Sequence, residues 1–265
     1  MANIVLKPSY VKKNNSLKNK NKKKVNRSVI LFIVFSGLMI YGFLFSGSFR
    51  IQSAEVDSPQ ELKDKTIEIV QGILNERLFL GLINDNILFV KKQEMSDSIK
   101  GNISDFLSVE ISKKIWPLGL KIKAVPREKI AVFCNQTCHF IDRNGIAFGT
   151  AQGDSLELLI EDKTENQIIL GQKIIEPDFL NIIIEAKDII NENQITKIKS
   201  IEIPNMFGEF RIKTIEGWEI YLDKNVDIKT QLVGLNKTLD EKVSYEKRSE
   251  LEYFDLRIDG RIYYK

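Results

Sequence analysis

The longest apolar stretch in the chain runs from Val29 to Phe45 (VILFIVFSGLMIYGFLF), with no charge between Arg27 and Arg50. A run of this length that is apolar on every helical face predicts a bilayer-crossing helix rather than one that covers a core. Beyond it the pattern becomes that of a folded domain. Phe49, Ile51 and Val56 predict a short strand, and Ser58-Pro59-Gln60-Glu61 predicts a helix start with a capping box and proline at the first helical position. Leu62, Ile69, Val70, Ile73 and Leu74 follow at helical spacing, and Met95, Ile99, Ile103 and Phe106 give a second helix, from Lys91, one apolar face. The period then changes to two. Leu107, Val109 and Ile111 alternate with polar residues, and so do Leu120, Ile122 and Ala124 after Trp116-Pro117-Leu118-Gly119. Two strands joined at a Pro/Gly turn are expected, with the helices covering one face of the sheet.

The second half repeats the mixture in a different order. Ile130–Phe133 and His139–Ile141 read as strands around Cys134-Asn135-Gln136-Thr137-Cys138, and Asp142-Arg143-Asn144-Gly145 reads as a tight turn into Ile146, Ala147 and Phe148. A helix is predicted from Pro177, with Leu180, Ile183, Ile184, Lys187 and Ile190 on or near one face. Strands follow at Ile195–Ile203, Phe210–Ile215 and Trp218–Leu222. Ile228, Leu232, Leu235 and Leu239 then mark another helix. The last apolar positions are Tyr253-Phe254-Asp255-Leu256-Arg257 and Ile258-Asp259-Gly260-Arg261-Ile262-Tyr263-Tyr264. Trp116 and Trp218 are both expected to be core or half-buried strand residues.

Charge adds direction. The chain has 265 residues with 39 Lys+Arg against 36 Asp+Glu, a net charge of +3. Nine of the basic residues (Lys7, Lys12, Lys13, Lys18, Lys20, Lys22, Lys23, Lys24, Arg27) lie in the first 27 positions, which hold no acid, so the remainder is net acidic. The basic excess therefore belongs to a tail, not to a nucleic-acid-binding surface. Residues 1–27 are expected to be a disordered cytoplasmic tail that fixes topology and is drawn to anionic lipids. Residues 28–48 are the expected transmembrane helix, and everything after Phe49 is expected outside the cytoplasm, a single-pass type II arrangement in the cell membrane. A cleaved signal peptide competes for the same segment, but the basic region is long and the apolar run exceeds the usual 7–15 residues.

Candidate chemistry is sparse. The chain has two cysteines and one histidine, which rules out a disulfide scaffold and an ordinary multi-histidine metal site. Cys134 and Cys138 sit across a predicted hairpin, where a disulfide is open to them outside the cytoplasm. Free thiols, covalent haem attachment through Cys-x-x-x-Cys-His139 and zinc binding also stand as readings, although no fourth ligand is nearby. A sortase-like cysteine transpeptidase needs a histidine and an arginine converging on its nucleophile. His139 adjoins Cys138, and neighbouring strand residues point to opposite faces. No catalytic, cofactor or metal residues are assigned. Asp255 and Arg257 are expected to pair on one strand face.

Several of these segments together resemble the bacterial cell division proteins FtsQ and DivIB. The features that carry the likeness are the anchor and Lys114-Ile115-Trp116-Pro117-Leu118-Gly119-Leu120-Lys121-Ile122, followed by Arg127 and Ala131. Ile141-Asp142 with Gly145 and the closing Phe254-Asp255-Leu256-Arg257 add to it. The resemblance implies an α+β fold: a single N-terminal transmembrane helix, a POTRA module (β-α-α-β-β, 49–127) and a mostly antiparallel β domain with flanking helices (128–265). It implies a divisome scaffold without enzymatic activity or cofactor, acting at the division septum. In that family the last strand receives a segment of an FtsB-like partner, itself paired with an FtsL-like coiled coil, and septal wall synthases are reached indirectly. Carried onto this chain, Arg257–Tyr264 forms the receiving strand, with Arg257, Ile258, Gly260, Ile262, Tyr263 and Tyr264 as partner-binding residues; a turn or bulge at Asp259-Gly260, which shortens the edge, is the alternative for this stretch. An envelope POTRA protein of secretion or transport is the alternative role for the same architecture.

Overall fold

The computed structural model describes residues 27–45, 49–76, 85–151, 158–164, 167–204, 208–243 and 245–265. The expected tail, apart from Arg27, and the Ser46–Ser48 end of the expected span lie outside the described residues. The chain divides into two compact units, 1–48 and 49–265. In the first, α1 (Arg27–Phe45) is a 19-residue helix. Its described apolar side chains are exposed all round, as the uninterrupted run requires. Among the described residues no helix is long and apolar enough to cross a membrane; the described side chains of α1 end at Gly42.

The second unit is α+β, and antiparallel pairings dominate its sheets. It opens with β1 (Ser53–Asp57), α2 (Gln60–Asn75), α3 (Lys92–Asn102), β2 (Phe106–Lys114) and β3 (Gly119–Pro126). These strands form a sheet of order β1-β3-β2, in which β1 runs parallel and β2 antiparallel to β3. The parallel β1–β3 pair needs a long crossover, and α2 and α3 lie within it. Val70, Met95, Ile99, Phe106, Leu120 and Ile122 bury the shared face. Lys121 and Lys123 keep the opposite face in water. The capping box does not form. Pro59 is extended (φ −51°, ψ 141°) and takes the N-cap position, so α2 starts one residue later. The Ser58 hydroxyl donates to the Pro59 carbonyl instead.

The remaining strands are β4 (Ala131–Cys134), β5 (Cys138–Ile141), β6 (Ala147–Phe148), β7 (Leu159–Asp162), β8 (Ile198–Ile203), β9 (Glu209–Thr214), β10 (Glu219–Asp223), β11 (Tyr253–Asp255) and β12 (Tyr263–Tyr264). Among the described residues they form one sheet of order β12-β11-β10-β9-β8-β7-β4-β5-β6. Parallel joints occur at β4–β7, β7–β8 and β10–β11. Two helices, α4 (Pro177–Glu192) and α5 (Ile228–Lys242), supply Leu180, Ile183, Ala186, Ile190, Leu232, Leu235 and Leu239 to a core that includes Ile160, Ile201, Phe210, Ile212, Trp218 and Phe254. Proline at the start of α4, and Asp227 ahead of α5, whose carboxylate accepts from the Thr230 N–H in the first turn, fix the two helix origins. Alternation along β9 and β10 leaves the other sheet face to charged residues and tyrosines.

Arg127 links the two sheets. Its Nε donates to the Ser104 carbonyl at 2.9 Å and its backbone N–H to the Asp105 carbonyl at 2.8 Å, while Nη1 reaches the Asp142 carboxylate. Asp142 is itself 3% exposed, and its Oδ1 accepts from the N–H groups of Asn144 and Ile146. The turn that presents it requires glycine at 145, where φ is +72° and a Cβ would lie 2.0 Å from the Ile175 carbonyl oxygen.

Candidate functional site

The two margins of the large sheet differ. At β6 the outer side is occupied: the Ala147 N–H donates to the Gln172 carbonyl, and its carbonyl accepts from the Gly171 N–H. At the other margin, β12 pairs with β11 through Phe254↔Tyr264 and Asp255↔Tyr263. Among the described residues no strand lies on its far side. Lys265 and Tyr253 exchange both backbone hydrogen bonds, at 3.2 and 3.4 Å. In an antiparallel pair such residues alternate with ones whose N–H and C=O point away. The Tyr264 peptide groups therefore face outward, and so do those of Ile262. This is a short receptive edge.

Its side chains are arranged on two faces. Tyr264 is on the helix side with Phe254, ring centroids 5.2 Å apart, and Phe254 in turn meets Trp218 edge-on at 5.5 Å. Ile262 packs onto the same core. It lies against Gly234 of α5, where a Cβ would come within 3.0 Å of Ile262 Cδ1. Tyr263 shares the charged face with Asp255 and Tyr221, which the strand register places opposite one another. Tyr221 stacks on Tyr253 at 5.1 Å, with Arg211 and Arg257 over the Tyr221 ring. Tyr263, Tyr264, Ile258 and Val233 are all exposed, giving this margin an apolar and aromatic rim.

Of the two readings of Arg257–Tyr264, the single strand is not formed and the turn at Asp259-Gly260 is. Ile258–Gly260 turns back, with the Arg261 N–H donating to the Ile258 carbonyl at 3.1 Å and Gly260 at φ +68°. The Asp259-Gly260 pair thus makes β11 and β12 a hairpin, and the edge shortens to Ile262–Tyr264. Arg257 is committed elsewhere. Its guanidinium grips Asp255 at 2.9 and 2.6 Å and reaches Glu209 at 3.1 Å, so the expected Asp255–Arg257 pairing is present. The bonds from Arg257 hold the Asp255 carboxyl below the usual carboxylate range, against the opposing effect of burial. Ile258 offers its carbonyl to Gln231 of α5 at 3.1 Å. Of the six expected contact residues, Ile262, Tyr263 and Tyr264 lie on the edge; Arg257, Ile258 and Gly260 shape the turn behind it. Gly234, Val233 and Gln231 were not anticipated. A lone glycine inside the apolar period of α5 was the available signal, since mid-helix glycine usually marks a close approach.

The cysteines lie at the far end of the sheet. Cys134 and Cys138 face each other across β4–β5 and are bonded, with a Cα–Cα distance of 4.1 Å. Free thiols, haem attachment, zinc binding and nucleophilic catalysis each need a thiol or thiolate, and in this state both sulfurs are taken. The ring nitrogens of His139 are hydrogen-bonded to Thr137 Oγ1 at 2.9 Å and the Gly149 carbonyl at 2.8 Å. Trp218 is fully buried, as expected, and its Nε1 donates to Glu216 at 3.1 Å. Trp116 departs from expectation. It sits in the turn between β2 and β3, beyond the cover of α2 and α3, and is 90% exposed.

No protein-family model matches the chain, and no curated protein matches it significantly.

Proposed function

We propose that the chain is a membrane-anchored scaffold that captures another polypeptide by strand addition at β12, as FtsQ- and DivIB-like division proteins do. The observation that carries the reading is the outer edge of β12, where the Tyr264 and Ile262 peptide groups face away from the sheet beside exposed Tyr263 and Tyr264. Backbone groups of an added strand pair with that edge, and the alternating faces offer an aromatic side and a charged side for specificity. The partner is an FtsB-like segment carried with an FtsL-like coiled coil, and septal wall synthases are influenced through that complex. The module formed by β1–β3 with α2 and α3 is read as a POTRA domain.

Residues 28–48 serve as the anchor. The 19 residues of α1 rise about 28 Å, close to the roughly 30 Å hydrocarbon core of a bilayer. The basic N-terminal tail keeps that end in the cytoplasm, and the folded part acts outside it, at the division septum.

Strand addition is tested at one peptide group. Tyr264→Pro deletes the outward N–H, whereas the hydrogen bonds of Tyr263 and Lys265 to β11 are left in place. Capture of the FtsB-like partner by the full chain in pull-downs is expected to fall at least tenfold below that of Tyr264→Ala, which loses the same ring and its stacking on Phe254 but keeps the N–H. Capture equal to that of Tyr264→Ala in a folded Tyr264→Pro variant rejects strand addition at β12.

A further inference from the structure

Among the described residues of the second unit, the β2–β3 turn is the most exposed apolar feature. Ile115 is 82% and Trp116 90% exposed, and Pro117 continues the exposed stretch. Its position in the fold is informative. The Gln52 N–H donates to the Leu118 carbonyl at 2.8 Å, and Ser53 pairs with Gly119. β1 runs away from the turn from that level, so the chain enters the three-stranded sheet at the same end as the turn. On the other side of the entering segment, the Ile87 N–H donates to the Phe49 carbonyl at 2.9 Å, and Leu88 next to it is 54% exposed. The apolar run of α1 ends at Phe45, and the stretch from there to Phe49 reaches at most about 14 Å when fully extended.

We infer that the Ile115-Trp116 turn is a second membrane contact, seated in the headgroup layer of an anionic bilayer, at the end of the sheet where the chain enters it. The inference rests on the proposed anchor at 28–48 and goes beyond it. Tryptophan suits this depth because its ring is apolar while its N–H still finds a polar partner. Isoleucine adds area without adding a polar group. Lys113 and Lys121, exposed on the flanking strands, supply the positive charge that anionic headgroups attract. Lys114 is ion-paired with Glu55 and contributes less. An exposed Trp-Pro tip with this charge at the chain's point of entry fits a lipid surface better than a partner protein, which needs no such placement.

The test uses the full chain reconstituted in phosphatidylcholine vesicles with and without phosphatidylglycerol, some of them carrying brominated acyl chains. The chain has two tryptophans, so the difference between wild type and Trp116→Phe isolates Trp116 from buried Trp218. Most of the Trp116 emission is expected to be lost to brominated chains and the remainder shifted to the blue, more so with phosphatidylglycerol. Ile115→Asp should restore the lost emission. Trp116 that stays bright in brominated vesicles and open to aqueous iodide overturns the inference while leaving the anchor intact. Shielding from iodide that needs added membrane protein assigns the turn to a protein partner and also overturns it. A chain that fails to float with vesicles overturns the anchor, and this inference with it.

Discussion

Arg127 and Asp142 are fifteen positions apart in the chain, yet the charge of each depends on the other for its place in the interior. Their side chains are 11% and 5% exposed. Removing Arg127 leaves the buried Asp142 carboxylate with only the Asn144 and Ile146 N–H groups, a loss of about 3–5 kcal/mol. Arg127→Ala is therefore expected to lower unfolding free energy by that amount in denaturant titration. It also removes the bond to the Ser104 carbonyl that ties the two sheets together. Asp255 behaves differently, because the effect appears through pH. Its folded pKa is depressed, so its contribution is present above the unfolded value, about 3.9, and is lost as pH falls through the folded value. Wild-type stability should hold from neutral pH to about 5 and drop below about 4. Asp255→Asn should be less stable at pH 7 and show a shallower acid limb, as followed by thermal melts across pH.

At the scale of elements, what could be read from the chain depended on how local the cause was. α4 and α5 were legible because a helix needs only its own apolar period and its start signals, which Pro177 and Leu180 to Ile190, and Ile228 to Leu239, supply. β7 was not. Leu158-Leu159-Ile160 has no alternation, and the segment is a strand because β4 and β8 flank it in parallel, a long-range cause absent from the local pattern. The terminal region carried two local signals, apolar ends that suggest one strand and Asp259-Gly260 that suggests a turn; the turn forms, and the hairpin puts only Ile262–Tyr264 on the edge. Trp116 was expected to be a core or half-buried strand residue because aromatics in alternating stretches usually are, but the turn carries it past the covering helices. The packing of α5 on β12 gives an element-level prediction. Gly234→Leu would drive Ile262 out of its seat, an overpacking cost of about 1–3 kcal/mol. Exchange of the Lys265 amide, which donates to the Tyr253 carbonyl, should accelerate about tenfold or more in hydrogen-exchange measurements.

Across the whole molecule, stabilising and receptive features lie at opposite margins of one sheet. The Cys134–Cys138 link closes a loop with sequence separation 4, so chain-entropy arguments limit its stabilisation to roughly 2 kcal/mol. Replacing both cysteines by serine should lower unfolding free energy by no more than that and leave capture at β12 unchanged in pull-downs, since β7–β11 lie between the two places. The outermost strand spans only Tyr263–Tyr264. A ledge this brief gives two identical copies little to hold when they meet side by side, so crowded chains should not zip into fibres. On the proposed reading, adhesion is reserved for a visitor that brings side chains to fit the tyrosine rim, and a grip so dependent on those extras is one that can also let go.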